Sequence, residues 1–201
     1  INDDGELDGF EIHLGNELCK RAGLTCEWVK NDWDSIIPNL VSGNYDTIIA
    51  GMSITDERDE VIDFTDPYTQ PDPSAYMALS ADVNLDGAVI AAQTNTIQSG
   101  FVAASGGTLI EFATADETVA AVRSGEADAV LADLNYLLPI ADAEAGLVLL
   151  AQQEMIGGGV GMGIRESDGE LRAKFNTAIQ SMKADGSLNA LIAEWGVGEQ
   201  F

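Results

Sequence analysis

A chain of 201 residues with 46% hydrophobic and 21% charged residues is globular in composition and long enough to bury a sizeable core. Its 34 acids against 9 bases give a net charge of −25, which argues against nucleic acid, whose phosphates require a Lys/Arg surface. The longest apolar runs are shorter than a membrane span, and the excess acid reads as a solvated surface.

Ile1 opens directly on polar residues, so no leader is expected, as in a mature secreted chain. HLGNELCKRAG carries Leu14, Leu18 and Ala22 at helical spacing and stops at Gly23. CEWVK then reads as a strand, and WDSIIPNLVSG as a helix with Pro38 near its start and Gly43 at its end. TIIAG reads as a buried strand, and TDERDEVI as a helix opening on Thr55. PYTQPDPSAYMA, with Pro67, Pro71 and Pro73, reads as an extended connector.

The second half repeats the scheme. AVIAAQ, TLIEFA, ADAVLAD and LVLLAQ are expected strands, with TIQSGFVAAS and ADETVAAVRSG as helices between them. NYLLPIADAEAG is helix or loop. After GGGVGMGI two helices close the chain, the first with Leu171, Phe175, Ile179 and Met182 on one face. This alternation predicts an α/β fold with mostly parallel sheets. SGNYDTIIAG (Ser42 to Gly51) and SGEADAVLAD (Ser124 to Asp133) match in pattern, each a helix end, a glycine stop, an Asp and a buried strand. The echo predicts two similar lobes, 1–72 with 158–201 and 76–154, joined by hinge strands near 71–76 and 153–160 around a cleft. Ligands of open α/β sheets bind at the carboxyl ends of the strands.

Enzyme chemistry has little to stand on. There is one histidine, His13, read as a surface or packing residue, and no GxSxG, HExxH or Walker loop. GGGVGMG lacks the Lys/Ser/Thr helix start of a phosphate loop. No metal site or cofactor is expected: Cys19 and Cys26 lack metal spacing and are either a disulfide or two buried thiols. Recognition is the better-supported class. Arg58, in SITDERDEVIDF, either pairs with a neighbour such as Asp59 or offers a fork to a ligand carboxylate. Ser53 and Thr55 add donors at that helix start. Thr94, Asn95 and Thr96 either cap the next helix or form a second carboxylate site. Asp133 either caps the NYLL segment or accepts a ligand ammonium. Trp33 stacks on a ligand side chain or belongs to the core. One fork, two helix starts and one carboxylate together describe an α-amino acid.

The run from GFEIHLGNELCKRAGLTC to SITDERDEVIDFTDPY, with SITDER after a buried strand and two cysteines in CKRAGLTC, resembles the polar amino acid periplasmic binding proteins of ABC importers. The likeness is to their lysine/arginine/ornithine- and histidine-binding branch. It is strong from Asp8 to about Tyr68 and more diffuse from Ala88 to Trp195. The resemblance implies a two-lobed type II periplasmic binding protein fold with two hinge strands. It would close on one L-amino acid, basic or polar, and deliver it to a membrane permease. By resemblance Arg58 pairs with the ligand α-carboxylate, and Gly51 and Ser53 contact the α-amino and carboxylate groups. Thr96, with Asn95 beside it, is the second carboxylate donor. Asp133 is the ammonium acceptor and Trp33 the stacking aromatic. Cys19 and Cys26 are implied to form a disulfide, in keeping with a periplasmic location.

Three departures are visible. His13 stands where many members have Asp, and Gly51 where the basic-ligand branch has Ser. Members also begin with a strand and loop ahead of GFEI, so the expectation is a chain without its first strand, either truncated or completed by a domain-swapped or paired second copy. A cyclohexadienyl dehydratase-like enzyme is the alternative on this scaffold, but it needs a general acid that the sequence does not offer. A ligand-sensing receptor domain is the other.

Overall fold

The computed structural model describes residues 5–201. Expectations about the opening residues, Ile1 to Asp4, lie outside the described residues. In chain order the elements begin with α1 (Phe10–Ala22), α2 (Ile36–Val41), β1 (Thr47–Ile48), α3 (Asp56–Asp59), β2 (Asp63–Phe64) and β3 (Ser74–Ala78). There follow β4 (Val89–Gln93), α4 (Ile97–Ser105), β5 (Thr108–Phe112), α5 (Ala115–Ser124), β6 (Ala129–Asp133) and α6 (Leu134–Ala143). The chain closes with β7 (Val148–Glu154), β8 (Gly163–Ile164), α7 (Gly169–Asp185) and α8 (Ser187–Trp195). The chain divides into two compact units, Ile1–Pro71 with Gly158–Phe201, and Asp72–Gly157.

In the first unit α1 buries Phe10, Leu14 and Leu18, one residue per helical turn, against Phe175, Ile179 and Met182 of α7 and Leu188 and Ile192 of α8. Gly23, at φ 68°, ends α1 in the left-handed conformation that an L-side chain resists. The sheet runs β1-β8-β2, with both ladders antiparallel. A second cluster, Ile36, Leu40, Ile48, Met52, Ile62 and Phe64, packs with Trp33 and Ile54.

Two expectations are corrected here. CEWVK forms no strand among the described residues, although its Trp and Val favour one, because a strand needs a ladder partner. The segment is held instead by the Cys19–Cys26 disulfide and by Trp28, whose ring N–H donates to Asn16 Oδ1 at 2.9 Å. Trp28 lies so close to α1 that a Cβ on Gly15 would meet its ring at 2.7 Å. The expected strand TIIAG is also shorter than its apolar run, because only Thr47 and Ile48 pair, both with β8.

In the second unit the order is β5-β4-β6-β3-β7. β4 runs parallel to β5 and β6, whereas β3 runs antiparallel to β6 and β7. The expectation of mostly parallel sheets is therefore wrong: among the described residues parallel pairing is confined to β5-β4-β6. The proline-rich stretch read as a connector ends in β3, which lies between β6 and β7 and is buried along its whole length. Its prolines precede Ser74, so they cost the ladder no donor, and SAYMA is the unbroken apolar run of a strand covered on both faces. Ala75 and Met77 pack with Ala91, Val119 and Val130 on one face, and Tyr76 and Ala78 with Ile90, Ala129 and Leu131 on the other.

Arg21, paired with Glu17 within α1, ties that helix to the C-terminal helices through Ser181, Asp185 and Ser187. Hydrogen bonds from Ser187 and then Arg21 hold the Asp185 carboxyl down at about 2, from 3.8. A lowered carboxylate stabilises the fold above its unfolded value and loses that contribution as pH falls through its folded one. Urea denaturation should therefore show wild type losing stability relative to Asp185→Asn between about pH 4 and about pH 2. Replacing Cys19 and Cys26 together by Ser should lower the unfolding free energy by about 2–3 kcal/mol, the closure entropy of a short loop, measured by the same denaturation at pH 7.

Candidate functional site

In the first unit Gly51, Ser53 and Thr55 lie on the chain between β1 and α3, Arg58 lies on α3, and Trp33 precedes α2. Thr55 caps α3, its Oγ1 accepting from the Arg58 N–H at 3.2 Å, so a short helix begins where an acid-rich run follows a hydroxyl. The Arg58 guanidinium donates from Nη1 to the Ser53 carbonyl at 2.8 Å and lies 5.5 Å from the Trp33 ring centroid. Trp33 rests on the Ile36–Leu40–Met52 cluster, as the core reading of it expects. Gly51, exposed at φ 62°, donates its N–H to Glu11 Oε1 at 2.7 Å.

The glycine run after β7 explains how this segment is held. Ser53 bridges to Val160, the Ile54 N–H donates to the Gly159 carbonyl at 2.9 Å, and the Tyr68 N–H donates to the Val160 carbonyl at 2.8 Å. A Cβ on Gly159 would meet the Thr69 carbonyl oxygen at 2.8 Å, and one on Gly161 would meet Ile54 Cδ1 at 2.9 Å. GGGVGMG is thus glycine-rich because backbones press together there.

In the second unit Thr96 caps α4, accepting from the Ser99 N–H at 3.2 Å and donating to the Gln93 carbonyl at 2.6 Å. Asn95 precedes it at φ 57°, a left-handed conformation that Asn tolerates better than most residues. Both follow the carboxyl end of β4, and Asp133 ends its parallel neighbour β6, so the three stand at one edge of the sheet. Asp133 is exposed and its side chain makes no cap to α6; its Oδ1 accepts from Gln98 Nε2 at 2.6 Å. Gln98, buried on α4, also donates to Ser74 Oγ at 3.0 Å, and Ser74 is the register partner of Asp133 across the β3–β6 ladder.

Sequence reasoning missed Gln98 and Glu11. Gln98 carried one signal, a long polar side chain two residues inside a capped helix. Glu11 carried less: it lies in the GFEI motif, but an acid in the first turn of a helix is ordinarily a solvated one. Here its Oε1 accepts both the Gly51 N–H and the hydroxyl of fully buried Tyr68. Burial pushes the Glu11 carboxyl up, and the bonds from Tyr68 and Gly51 oppose that shift. His13, two residues beyond Glu11 on α1, pairs with Asp8 at 2.9 Å and lies beside the Trp195 ring. Among the described residues no group of three or more His, Cys, Asp or Glu is arranged to hold a metal ion, and no helix is long and apolar enough to cross a membrane.

Comparison with known proteins points in one direction. The chain is 32% identical over 210 residues to the histidine-binding periplasmic protein of Escherichia coli, covering 96% of this chain and 81% of that one. It is 31% identical over 199 residues to the L-arginine-binding protein of Pseudomonas aeruginosa, covering 91% and 77%. Among solved structures, a periplasmic His/Glu/Gln/Arg/opine family-binding protein from Silicibacter pomeroyi in complex with lysine superposes with a TM-score of 0.94. That protein is 67% identical, over 97% of this chain and 89% of that one. The family model matched over residues 1–198 states the conclusion: this chain belongs to the bacterial extracellular solute-binding proteins, family 3.

Proposed function

We propose that the chain is the periplasmic binding component of an amino acid ABC importer, taking a basic or polar L-amino acid and passing it to a membrane permease. The observation that carries this reading is a pair of opposite, separately anchored charges. Arg58 is anchored over Trp33 by the Ser53 carbonyl in one unit, and Asp133 by Gln98 at a strand end in the other. A zwitterion needs both a cationic fork and a fixed carboxylate. In this reading Arg58 pairs with the ligand carboxylate, assisted by Ser53, Asn95 and Thr96, and Gly51 offers backbone contact. Asp133 receives the α-ammonium, and Trp33 stacks on the side chain. The role is binding rather than catalysis.

The charge inventory favours a basic or neutral side chain over an acidic one. Arg21, Arg123, Arg165 and Arg172 are each committed to ion pairs with Glu17 and Asp185, Glu144, Asp46 and Asp168, and Asp63. The relatives named above, which bind histidine and L-arginine or hold lysine, support the same preference.

A thermal-shift panel of the twenty amino acids with ornithine should show stabilisation by basic or polar members, with calorimetry giving the affinity. Arg58→Ala and Asp133→Ala should each weaken binding at least about 100-fold, or roughly 3 kcal/mol, because each leaves a desolvated ligand charge unpaired. A panel without any stabilising amino acid would refute the reading. Gln98→Ala should weaken binding about tenfold by releasing Asp133. It should also cost about 1–3 kcal/mol of stability, since the buried Ser74 hydroxyl loses a partner.

A further inference from the structure

Gly51 stands at a point of the first unit where packing does little. An ideal Cβ built there meets no heavy atom within 4 Å, and the residue is exposed, yet its backbone holds the left-handed φ of 62°. Its amide is instead fixed by the 2.7 Å bond to Glu11. Glu11 stands on α1, a helix anchored by Leu14 and Leu18 in the core, and its Oε1 is steadied from the other side by the hydroxyl of Tyr68. Downstream of Gly51, Met52 is buried, and Ser53 turns its carbonyl to Arg58 at 2.8 Å. One chain of contacts therefore runs from the core, through Glu11, to the segment that orients Arg58.

We propose that Glu11 is a positioning residue for ligand recognition, its carboxylate holding the Gly51 amide so that Ala50 to Ser53 present Arg58 in its binding orientation. The inference rests on the amino-acid-binding reading above, in which Glu11 itself touches no ligand. A charged acceptor suits this task because its bonds to N–H and O–H donors are stronger than those of a neutral one. Desolvation raises the carboxyl on balance, and the two donors from Gly51 and Tyr68 counter it in part.

The test uses the full chain, labelled with nitrogen-15, as wild type, Glu11→Gln and Tyr68→Phe. In ligand-free Glu11→Gln the Gly51 amide proton should move upfield and the Arg58 Nε–H resonance should shift, with the fold retained. Calorimetry should show affinity for the best ligand of the panel falling about tenfold. Tyr68→Phe keeps the Glu11 carboxylate and its bond to Gly51, so it should lower the melting temperature while leaving the Gly51 resonance in place and the affinity within about twofold. Unmoved Gly51 and Arg58 resonances in Glu11→Gln would overturn the proposal. So would equal losses of affinity in the two variants, which would make Glu11 a core partner only. Should wild type bind no amino acid, the functional reading fails, while the ligand-free resonances still decide the role of Glu11.

Discussion

Between β1 and α3 the chain runs from Ile49 to Thr55 with little regular structure of its own, and it is held by backbone contacts from a distant part of the sequence. Ser53 bridges to Val160 and Ile54 bonds to Gly159. Such contacts require that Gly159 carry no side chain, since a Cβ there would strike the Thr69 carbonyl, and a Cβ on Gly161 would crowd Ile54 and the Thr65 carbonyl. The orientation of Arg58 follows from this constraint, because its guanidinium is bonded to the carbonyl of the same Ser53. Glu11 holds the other end of the segment at Gly51. The segment whose Ser53 carbonyl holds Arg58 is thus fixed at Gly51 by a carboxylate and at Ser53 and Ile54 by backbone, which in the proposed role of Arg58 spares the ligand the ordering of a mobile loop.

The second unit reaches the same end by another route. Asp133 lies at the carboxyl end of a strand in a sheet covered on both faces, so its backbone is set by the ladder to β3. Its carboxylate accepts from a buried amide, Gln98, which also bonds Ser74 on the facing strand. Thr96 spends its hydroxyl on the start of α4, leaving the neighbouring backbone in the geometry of a helix N-terminus, where anions are favoured. The proposed ligand groups therefore match the charge preference of each place: carboxylate at helix starts and Arg58, ammonium at a strand-end acid.

Much of this was legible in the sequence where local chemistry decides. Thr55 and Thr96 open their helices, and Gly23 and Gly125 stop theirs, because capping and left-handed φ depend on residues a few positions apart. The likeness to a binding-protein family rested on runs such as SITDER, and the family match bears it out. What was not legible depended on distant partners. CEWVK has strand composition but no ladder partner among the described residues, and SAYMA, behind its prolines, became a central strand only because β6 and β7 flank it. Pairing direction failed likewise, since it follows from how β3 enters its sheet. Gln98 and Glu11 were overlooked for the same reason: each looks like an ordinary polar residue until Asp133, Ser74, Gly51 and Tyr68 are brought beside it.

The proposed function rests on Arg58 reading the α-carboxylate and Asp133 the α-ammonium of an amino acid. Calorimetry with the best ligand of the amino acid panel, with its decarboxylated amine, which lacks the carboxylate, and with its deaminated acid, which lacks the α-ammonium, tests it most directly. The intact amino acid should bind, and removal of either α-group should weaken binding at least about 100-fold. Either analogue binding as tightly as the intact amino acid would contradict it.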